Sequence, residues 1–130
     1  MGYERGKPGI YDRTADYALR AVKLYRYLQK RSDGVALVLG KQYFRAATSI
    51  GANLVEAKSG ESRRDFVHKC CIAQKEARES KYWLTLLLKS ETVPPSRLTA
   101  LLEETDVIIA ILARIILTTK KNIVPKAILS

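Results

Sequence analysis

The chain has 130 residues, of which 47% are hydrophobic, and its 23 Lys and Arg against 13 Asp and Glu give a formal net charge of +10. This length and apolar content suit one domain with a single hydrophobic core, and we expect no second domain. The positive charge favours an anionic partner such as RNA, DNA or a lipid headgroup surface, although a basic bundle with solvated lysines would have the same composition.

The cysteines and the apolar runs indicate the cellular compartment of the protein. Cys70 and Cys71 are adjacent, and neighbouring helical side chains point about 100° apart, so we expect no disulfide between them. The residues after Met1 lack the apolar core of a secretion signal. The longest apolar run, 107–117, is interrupted by Arg114 and is shorter than a membrane span of ~20 residues. These features predict a cytoplasmic protein that has no membrane partner.

Three parts of the chain differ in composition: a mobile N-terminal arm, 1–11, a helical bundle, 12–122, and an apolar C-terminal tail, 123–130. Glycine and proline make up four of the first nine residues, a composition typical of a mobile terminus. The tail is too apolar for a solubilising segment, so we expect it to pack on a neighbouring helix or subunit.

A first helix is predicted from Asp12 or Thr14, either of which can cap it, to about Arg31. Its inner stripe consists of Tyr17, Ala21, Leu24 and Leu28. Its other side carries Arg20, Lys23, Tyr27 and Lys30. Basic residues interleaved with a tyrosine can hold phosphates and stack on an exposed base, whereas a solvated face or a subunit contact would show the same pattern.

A second helix is predicted to begin near Val35 or Ala36, after a turn at 32–34, and to continue to about Lys58. It has two different faces. One stripe consists of Arg45, Ser49, Ala52, Asn53 and Glu56. The opposite, apolar stripe consists of Tyr43, Ala47, Ile50 and Leu54.

Ser62 is placed to cap a third helix, predicted from Arg63 to about Lys89. Glu76 falls within the apolar stripe of this helix, and a buried carboxylate needs a partner. Arg45 is the first candidate partner, and its replacement by alanine would then destabilise the fold by ~3 kcal/mol or more. We predict a structural polar network that fixes helix register or a subunit interface, with direct ligand contact as the alternative. Its members are Arg45, Ser49, Asn53, Glu56, Glu76 and Glu79.

The third helix also carries the densest positive charge, which makes it the strongest candidate for binding an anion. Ordinary surface pairing with nearby acidic residues is the alternative. Together with two residues of the first helix, the predicted phosphate-binding set is Arg20, Lys23, Arg64, Lys75, Arg78 and Lys81.

After a turn with two prolines, a fourth helix is predicted from Ser96 to about Lys121. Its seam has coiled-coil spacing and comprises Leu98, Leu101, Thr105, Ile108, Leu112, Ile115 and Thr119. The apolar face is widened by Val107, Ile109, Ile111 and Ile116. Such a wide face implies burial on more than one side, hence a homo-oligomer. Four helices joined by short turns predict an all-α, up-down-up-down four-helix bundle.

Two stretches of the chain carry a family resemblance. Residues 45–57 read R-A-x-x-S-I-x-A-N-L-x-E-A, and residues 72–84 read I-A-x-K-E-A-x-E-S-x-Y-W-L. They resemble the small bacterial four-helix-bundle proteins encoded in intervening sequences of large-subunit ribosomal RNA genes. The resemblance implies a bundle protomer that assembles into a ring, a pentamer. A more distant relative is the accessory protein of diversity-generating retroelements, which binds nucleic acid and a reverse transcriptase.

Motifs for catalysis and for metal binding are missing from the sequence, which has no G-x-x-x-x-G-K-[S/T], G-x-G-x-x-G or H-E-x-x-H. The single histidine, His68, lies off the central stripe of its helix, where an exposed or subunit-facing position is favoured over catalysis. Glu56, Glu76 and Glu79 could hold Mg²⁺ inside a bundle, but Arg45 would repel the cation. We therefore expect no enzyme activity, no catalytic residue, no metal and no cofactor.

Three functions remain, in order of preference. The first is a non-enzymatic, homo-oligomeric scaffold that binds RNA or DNA, which the net charge supports directly and the distant relative by analogy. The second is a protein adaptor that presents a nucleic-acid enzyme such as a reverse transcriptase. The third is a metal-dependent or nuclease-like enzyme, which the missing motifs disfavour.

Overall fold

The computed structural model of the protein describes residues 9–123, and in this range the chain forms four α-helices and no strand. The helices are α1 (Ile10–Gln29), α2 (Gly34–Lys58), α3 (Arg63–Lys89) and α4 (Thr99–Lys121), with a short 3₁₀ helix, Pro95–Arg97, before α4. The prediction of an all-α protein with four helices is confirmed. Of the arm predicted at 1–11 and the tail predicted at 123–130, residues 1–8 and 124–130 lie outside the described residues, while Ile10 and Tyr11 belong to α1.

Cross-helix contacts show that neighbouring helices run in opposite directions. Between α2 and α3, Arg45 pairs with Glu76 whereas Glu56 pairs with Lys69, so the residue numbers rise along one helix as they fall along the other. Both α1 and α3 pack against α2 and α4, and the contact between α1 and α4 is the least extensive of the four. The packing is that of an up-down-up-down bundle in which α1 and α3 lie diagonally opposite each other.

The core contains the apolar stripes predicted for the first two helices. On α1 these buried residues are Tyr17, Ala21, Leu24 and Leu28, and on α2 they are Tyr43, Ala47, Ile50 and Leu54. The 3.6-residue period places each set on one side of its helix, and the facing stripes of α3 and α4 complete the core.

One polar layer crosses this core. The Thr105 hydroxyl donates to the Leu101 carbonyl at 2.6 Å, so it accepts a hydrogen bond from the Tyr17 hydroxyl, 2.5 Å away. The Tyr43 ring packs edge-on against Tyr17, with 6.2 Å between ring centroids. Within residues 9–123 the buried Tyr43 hydroxyl has no hydrogen-bond partner. Burial raises the pKa of both phenols, that of Tyr43 well above its ordinary value.

The helix ends depend on local capping. Ser62 caps α3 as predicted, because its hydroxyl accepts a hydrogen bond from the Asp65 amide at 3.1 Å. The prediction that Asp12 or Thr14 caps the first helix was wrong, since α1 begins at Ile10 and Gly9 is its N-cap. Thr14 lies inside the helix, where its hydroxyl donates to the Ile10 carbonyl at 2.8 Å.

The fourth helix departs from its prediction at both ends of the seam. It begins at Thr99 rather than Ser96, because the preceding residues form the 3₁₀ helix. The predicted seam is buried as far as Leu112, but the next buried residue is Ile116 and not Ile115. A straight α-helix drifts by about 20° per heptad from a strict 3.5-residue repeat, so the buried line moves forward by one residue.

The described residues contain no helix that is both long enough and apolar enough to cross a membrane.

Candidate nucleic-acid interface

The side of α3 that faces away from the core forms a continuous exposed stripe. It is called the outer stripe of α3 and consists of Arg64, His68, Cys71, Lys75, Arg78 and Tyr82, all of them exposed. Their spacing of four, three, four, three and four residues keeps the side chains on one line of the helix. The opposite line is buried in the core at Val67, Cys70, Ala73, Ala77, Ser80 and Leu84. The outer stripe carries three formal positive charges and no acidic residue.

No carboxylate within residues 9–123 forms an ion pair with Arg64, Lys75 or Arg78. Lys69 on the same helix differs, because its Nζ lies 2.7 Å from Glu56 Oε1 on α2. The stripe thus presents its positive charge to solvent, where a polyanion can neutralise it.

Tyr82 provides an aromatic surface at one end of the outer stripe. It is 57% exposed, and its ring packs edge-on against Trp83 with 5.0 Å between centroids. Trp83 is itself held, since its indole Nε1 donates to Glu79 Oε1 at 3.2 Å. Such an exposed, supported ring can stack on a base. The sequence analysis missed Tyr82, although its position four residues after Arg78 places it on the same line.

Lys81, which was predicted to contact phosphates, lies elsewhere. Its Nζ is 2.8 Å from Asp106 Oδ1, so it joins α3 to α4 across their seam. Helical rotation turns it about 60° from Arg78 and about 100° from Tyr82, towards α4. The assignment of Lys81 to a free phosphate-binding set is therefore corrected, because a carboxylate already neutralises it.

Arg20 and Lys23 form a different basic group. They line the groove between α1 and the start of α4, together with Arg97, which the sequence analysis did not single out. Because α1 and α3 are diagonal in the bundle, this groove and the outer stripe are separate surfaces. The six predicted residues thus occupy three places and do not form one patch.

The predicted polar network is present in part. Arg45 Nη1 lies 3.0 Å from Glu76 Oε2, and its Nη2 lies 2.6 Å from Glu79 Oε1. The Glu76 side chain is only 12% exposed, whereas that of Arg45 is 52% exposed. The hydrogen bond from Arg45 is the main cause that lowers the pKa of Glu79. The arginine is therefore half in solvent, and the expectation of a fully buried pair was wrong.

Ser49 and Asn53 do not reach this ion pair. The Ser49 hydroxyl donates to the Arg45 carbonyl at 2.7 Å, and the Asn53 amide donates to the Ser49 carbonyl at 2.8 Å. Both bond to the backbone of their own helix, as short polar side chains do inside helices. The line from Arg45 to Glu56 thus contains two separate groups of ion pairs to α3, one at Arg45 and one at Glu56, instead of one connected network.

The cysteines differ in exposure. Cys70 is buried and Cys71 is exposed on the outer stripe, and burial raises the pKa of the Cys70 thiol to about 11. Among the side chains of residues 9–123, no group of three or more His, Cys, Asp or Glu could hold a metal ion.

Comparisons with known proteins agree with this geometry. A solved structure of a protein with unknown function from the S23 ribosomal protein family of Bacteroides thetaiotaomicron VPI-5482 is 37% identical to the chain, with a TM-score of 0.77. The match covers 83% of this chain and 98% of that one. A comparison with curated proteins finds no match. The model of the family described as 23S rRNA-intervening sequence protein matches residues 7–114. The chain therefore belongs to the 23S rRNA-intervening sequence protein family, in agreement with the resemblance of its second and third helices.

Proposed function

We propose that the protein is a non-enzymatic, homo-oligomeric scaffold that binds RNA or DNA through backbone phosphates, in the cytoplasm. The observation that carries the proposal is the outer stripe of α3, where Arg64, Lys75 and Arg78 are exposed with no acidic residue among them. The two free thiols suit a reducing compartment.

Electrostatics supplies the affinity. Arg64 and Arg78 are 14 residues apart, or ~21 Å along a helix that rises 1.5 Å per residue, enough to follow several nucleotides. Each phosphate that the stripe neutralises releases condensed counterions, so binding weakens as salt rises. The exposed Tyr82 ring favours strands with unstacked bases, because every base has a face on which it can stack. Sequence preference is slight, since backbone contacts carry no base information.

Assembly into a ring would strengthen nucleic-acid binding if each protomer binds weakly. In a ring, each copy presents one outer stripe, and the second contact of a bound strand becomes intramolecular. The resemblance implies five copies, and the exposed apolar residues on α2 and α4 are available for contacts between them.

Reversing the charge of the outer stripe tests the proposal. The triple change Arg64→Glu, Lys75→Glu and Arg78→Glu should abolish binding to a mixed oligonucleotide at ~50 mM salt, where phosphate contacts are strongest. In the wild type, log K against log salt should have a slope of about −2 on a single strand for three contacts. Fluorescence anisotropy over a salt series measures both quantities. Lys81 is left unchanged because a glutamate there would face Asp106.

The matched control changes the same number of charges outside α3. Lys30, Lys41 and Lys120 are exposed, and their reversal to glutamate should weaken binding far less. Equal losses in both triple variants would mean that net charge alone attracts the nucleic acid. If the wild type showed no salt-sensitive binding to RNA or DNA, the proposal would fail.

A protein adaptor is the second candidate, favoured by exposed apolar side chains. Val35 and Val38 at the start of α2 are 60% and 64% exposed, and Leu117 on α4 is 58% exposed. These surfaces suit a protein partner, such as a nucleic-acid enzyme. Recovery of one protein in stoichiometric amounts, with no bound nucleic acid, would favour this function.

A further inference from the structure

The groove between α1 and the start of α4 contains a second concentration of positive charge. A concavity of about 190 Å³ is lined by Arg20, Lys23 and Leu24 of α1 and by Arg97, Ala100 and Leu101. It lies between α1 and α4, the pair of packed helices with the least extensive contact. Its size suits a single phosphate group with part of the attached sugar.

The residues that line this concavity carry positive charge and no negative charge. Its lining contains three cations and no carboxylate. Within the described part of the chain, none of the three cations forms an ion pair. Like charges gathered in one concavity raise its potential and attract counterions of opposite sign. An anion that bridges the α1 and Arg97 sides would relieve this repulsion.

Arg97 is held in place without being neutralised. Its guanidinium carbon lies 4.0 Å from the centroid of the Tyr27 ring. The Tyr27 hydroxyl in turn accepts a hydrogen bond from Arg31 Nη1 at 2.7 Å, and Arg31 Nη2 donates to the Thr92 carbonyl at 3.2 Å. An arginine that stacks on a ring keeps the N–H groups of its edge for a ligand. Tyr27 therefore orients Arg97 and leaves its charge available.

The same groove becomes acidic beyond Arg20. The adjacent concavity is lined by Asp12, Arg13, Asp16, Arg20 and Glu104. Arg13 is already paired with Glu104, at 2.7 Å between Nε and Oε2. A polyanion that continued past Arg20 would meet two further carboxylates. The basic end of the groove, at Arg20, Lys23 and Arg97, can therefore accept a phosphate. The carboxylates at the other end would repel a strand that ran through the whole groove.

We propose that Arg20, Lys23 and Arg97 bind the terminal phosphate of a nucleic-acid strand. A terminal phosphomonoester carries about −1.5 to −2 charge at neutral pH, more than the single charge of an internal phosphodiester, and so matches three cations better. The proposal rests on the proposed function for the class of its partner, and it uses a surface separate from the outer stripe of α3.

The test compares trinucleotides that differ at one end. The probes carry a 5′-monophosphate, a 3′-monophosphate or hydroxyls at both ends, and their affinities are measured by calorimetry. A terminal phosphate should tighten binding to the wild type about tenfold, the effect of one added charge-assisted hydrogen bond. Arg97→Ala should reduce this preference to less than about twofold. Lys23→Ala serves as a second variant of the same groove. Arg26→Ala, which removes an exposed arginine of α1 outside the lining, should leave the preference unchanged.

Equal affinity of wild type for all three probes would overturn the proposal, as would a preference that survives both Arg97→Ala and Lys23→Ala with the thermal midpoint unchanged. A loss in these variants that is the same for all probes would also overturn it, because the groove would then bind internal phosphates. The charge-reversed stripe variant separates the two proposals. It should lose binding of long oligonucleotides and keep the end preference, whereas failure of the proposed function would appear as long-strand binding that ignores stripe reversal.

Discussion

Arg45 contacts two carboxylates of α3 from a half-exposed position, which determines how much the contacts can stabilise the fold. Ion pairs in contact with water contribute less than ~1 kcal/mol, whereas a buried pair that loses one partner costs ~3 kcal/mol or more. Glu76 is nearly buried while Arg45 is not. The contribution of Arg45 to stability should therefore lie between those of an exposed and a buried ion pair.

Arg45→Ala should lower the free energy of unfolding by about 1–2 kcal/mol, because Glu76 loses its partner but remains in reach of water. Urea unfolding of this variant beside Lys41→Ala, an exposed residue of the same helix, measures the difference. A loss of more than ~3 kcal/mol would show that the pair behaves as buried.

Arg45→Ala should also change how the free energy of unfolding depends on pH in the acid range. The pKa of Glu79 is lowered from 4.5, chiefly by the Arg45 hydrogen bond. A lowered carboxyl pKa stabilises the fold above the unfolded pKa, and this contribution is lost as pH falls through the folded value. The difference between wild type and Arg45→Ala should therefore shrink below a pH of about 4.5. A difference that grows on acidification would contradict the assignment.

The two core tyrosines should respond oppositely to loss of their hydroxyls. Tyr17→Phe removes a buried hydrogen bond to Thr105 and should cost about 1 kcal/mol. Tyr43→Phe removes a buried hydroxyl that has no partner within the described residues, so it should be neutral or stabilising. Thermal unfolding of the two variants side by side checks this, and a larger loss for Tyr43→Phe would mean that an ordered water bonds its hydroxyl.

At the scale of the helix, α3 makes apolar contacts on its core side and ion pairs on the sides that face α2 and α4. Its apolar line is in the core, Glu76 and Glu79 face α2, and Lys81 faces α4. The remaining line, the outer stripe, has no partner helix within residues 9–123. Because the neighbouring sides are committed to packing, the outer stripe is the part of α3 available to another molecule.

The glycines of α2 show how closely it packs on α1. A Cβ on Gly40 would lie 2.2 Å from Cδ1 of the fully buried Leu28, whereas the nearest atom to a Cβ on Gly51 is Thr14 Oγ1 at 3.4 Å. Gly51→Ala should stabilise by about 0.5–1 kcal/mol through helix propensity. Gly40→Ala should destabilise, because Leu28 must move within a packed core. Denaturant midpoints of the two variants would contradict this account if Gly40→Ala were the more stable.

For the whole molecule, the homo-oligomer stays a prediction, and the exposed apolar side chains are the candidates for its contacts. Those that are large and exposed are Leu19, Val35, Val38, Val55, Tyr82, Val107 and Leu117. They occur on all four helices, and Val107 is the one among them that the predicted wide face of the fourth helix included. Contacts between copies would remove such surface from water.

Light scattering should report a homo-oligomer, about 73 kDa for a ring of five chains of 14.6 kDa each. Replacing Val107 and Leu117 by aspartate should reduce the mass if α4 forms the contact between copies, and the same change at Val35 and Val38 tests α2. A monomeric wild type at micromolar concentration would contradict the assembly.

The sequence by itself determined the four helices and most of their buried stripes. The period of apolar residues is a local property, so Tyr17, Ala21, Leu24 and Leu28 could be assigned to one face without knowing what covers them. Ser62 could be assigned as a cap because its partner, Asp65, lies three residues away. The pairing of Arg45 with an acid of the third helix was likewise predictable, since a charge within an apolar stripe needs a partner.

Only the tertiary structure decided how these helices share their surfaces. Whether a lysine is free depends on the residue across the seam, and so Asp106 removed Lys81 from the candidate set while Arg64, Lys75 and Arg78 remained available. Arg97 joined Arg20 and Lys23 because the bundle brings the start of α4 back to α1, across a separation in sequence that no periodic pattern can bridge. Periodicity reports which side of a helix is apolar, and the packing of one helix on another decides which charges are left for a partner.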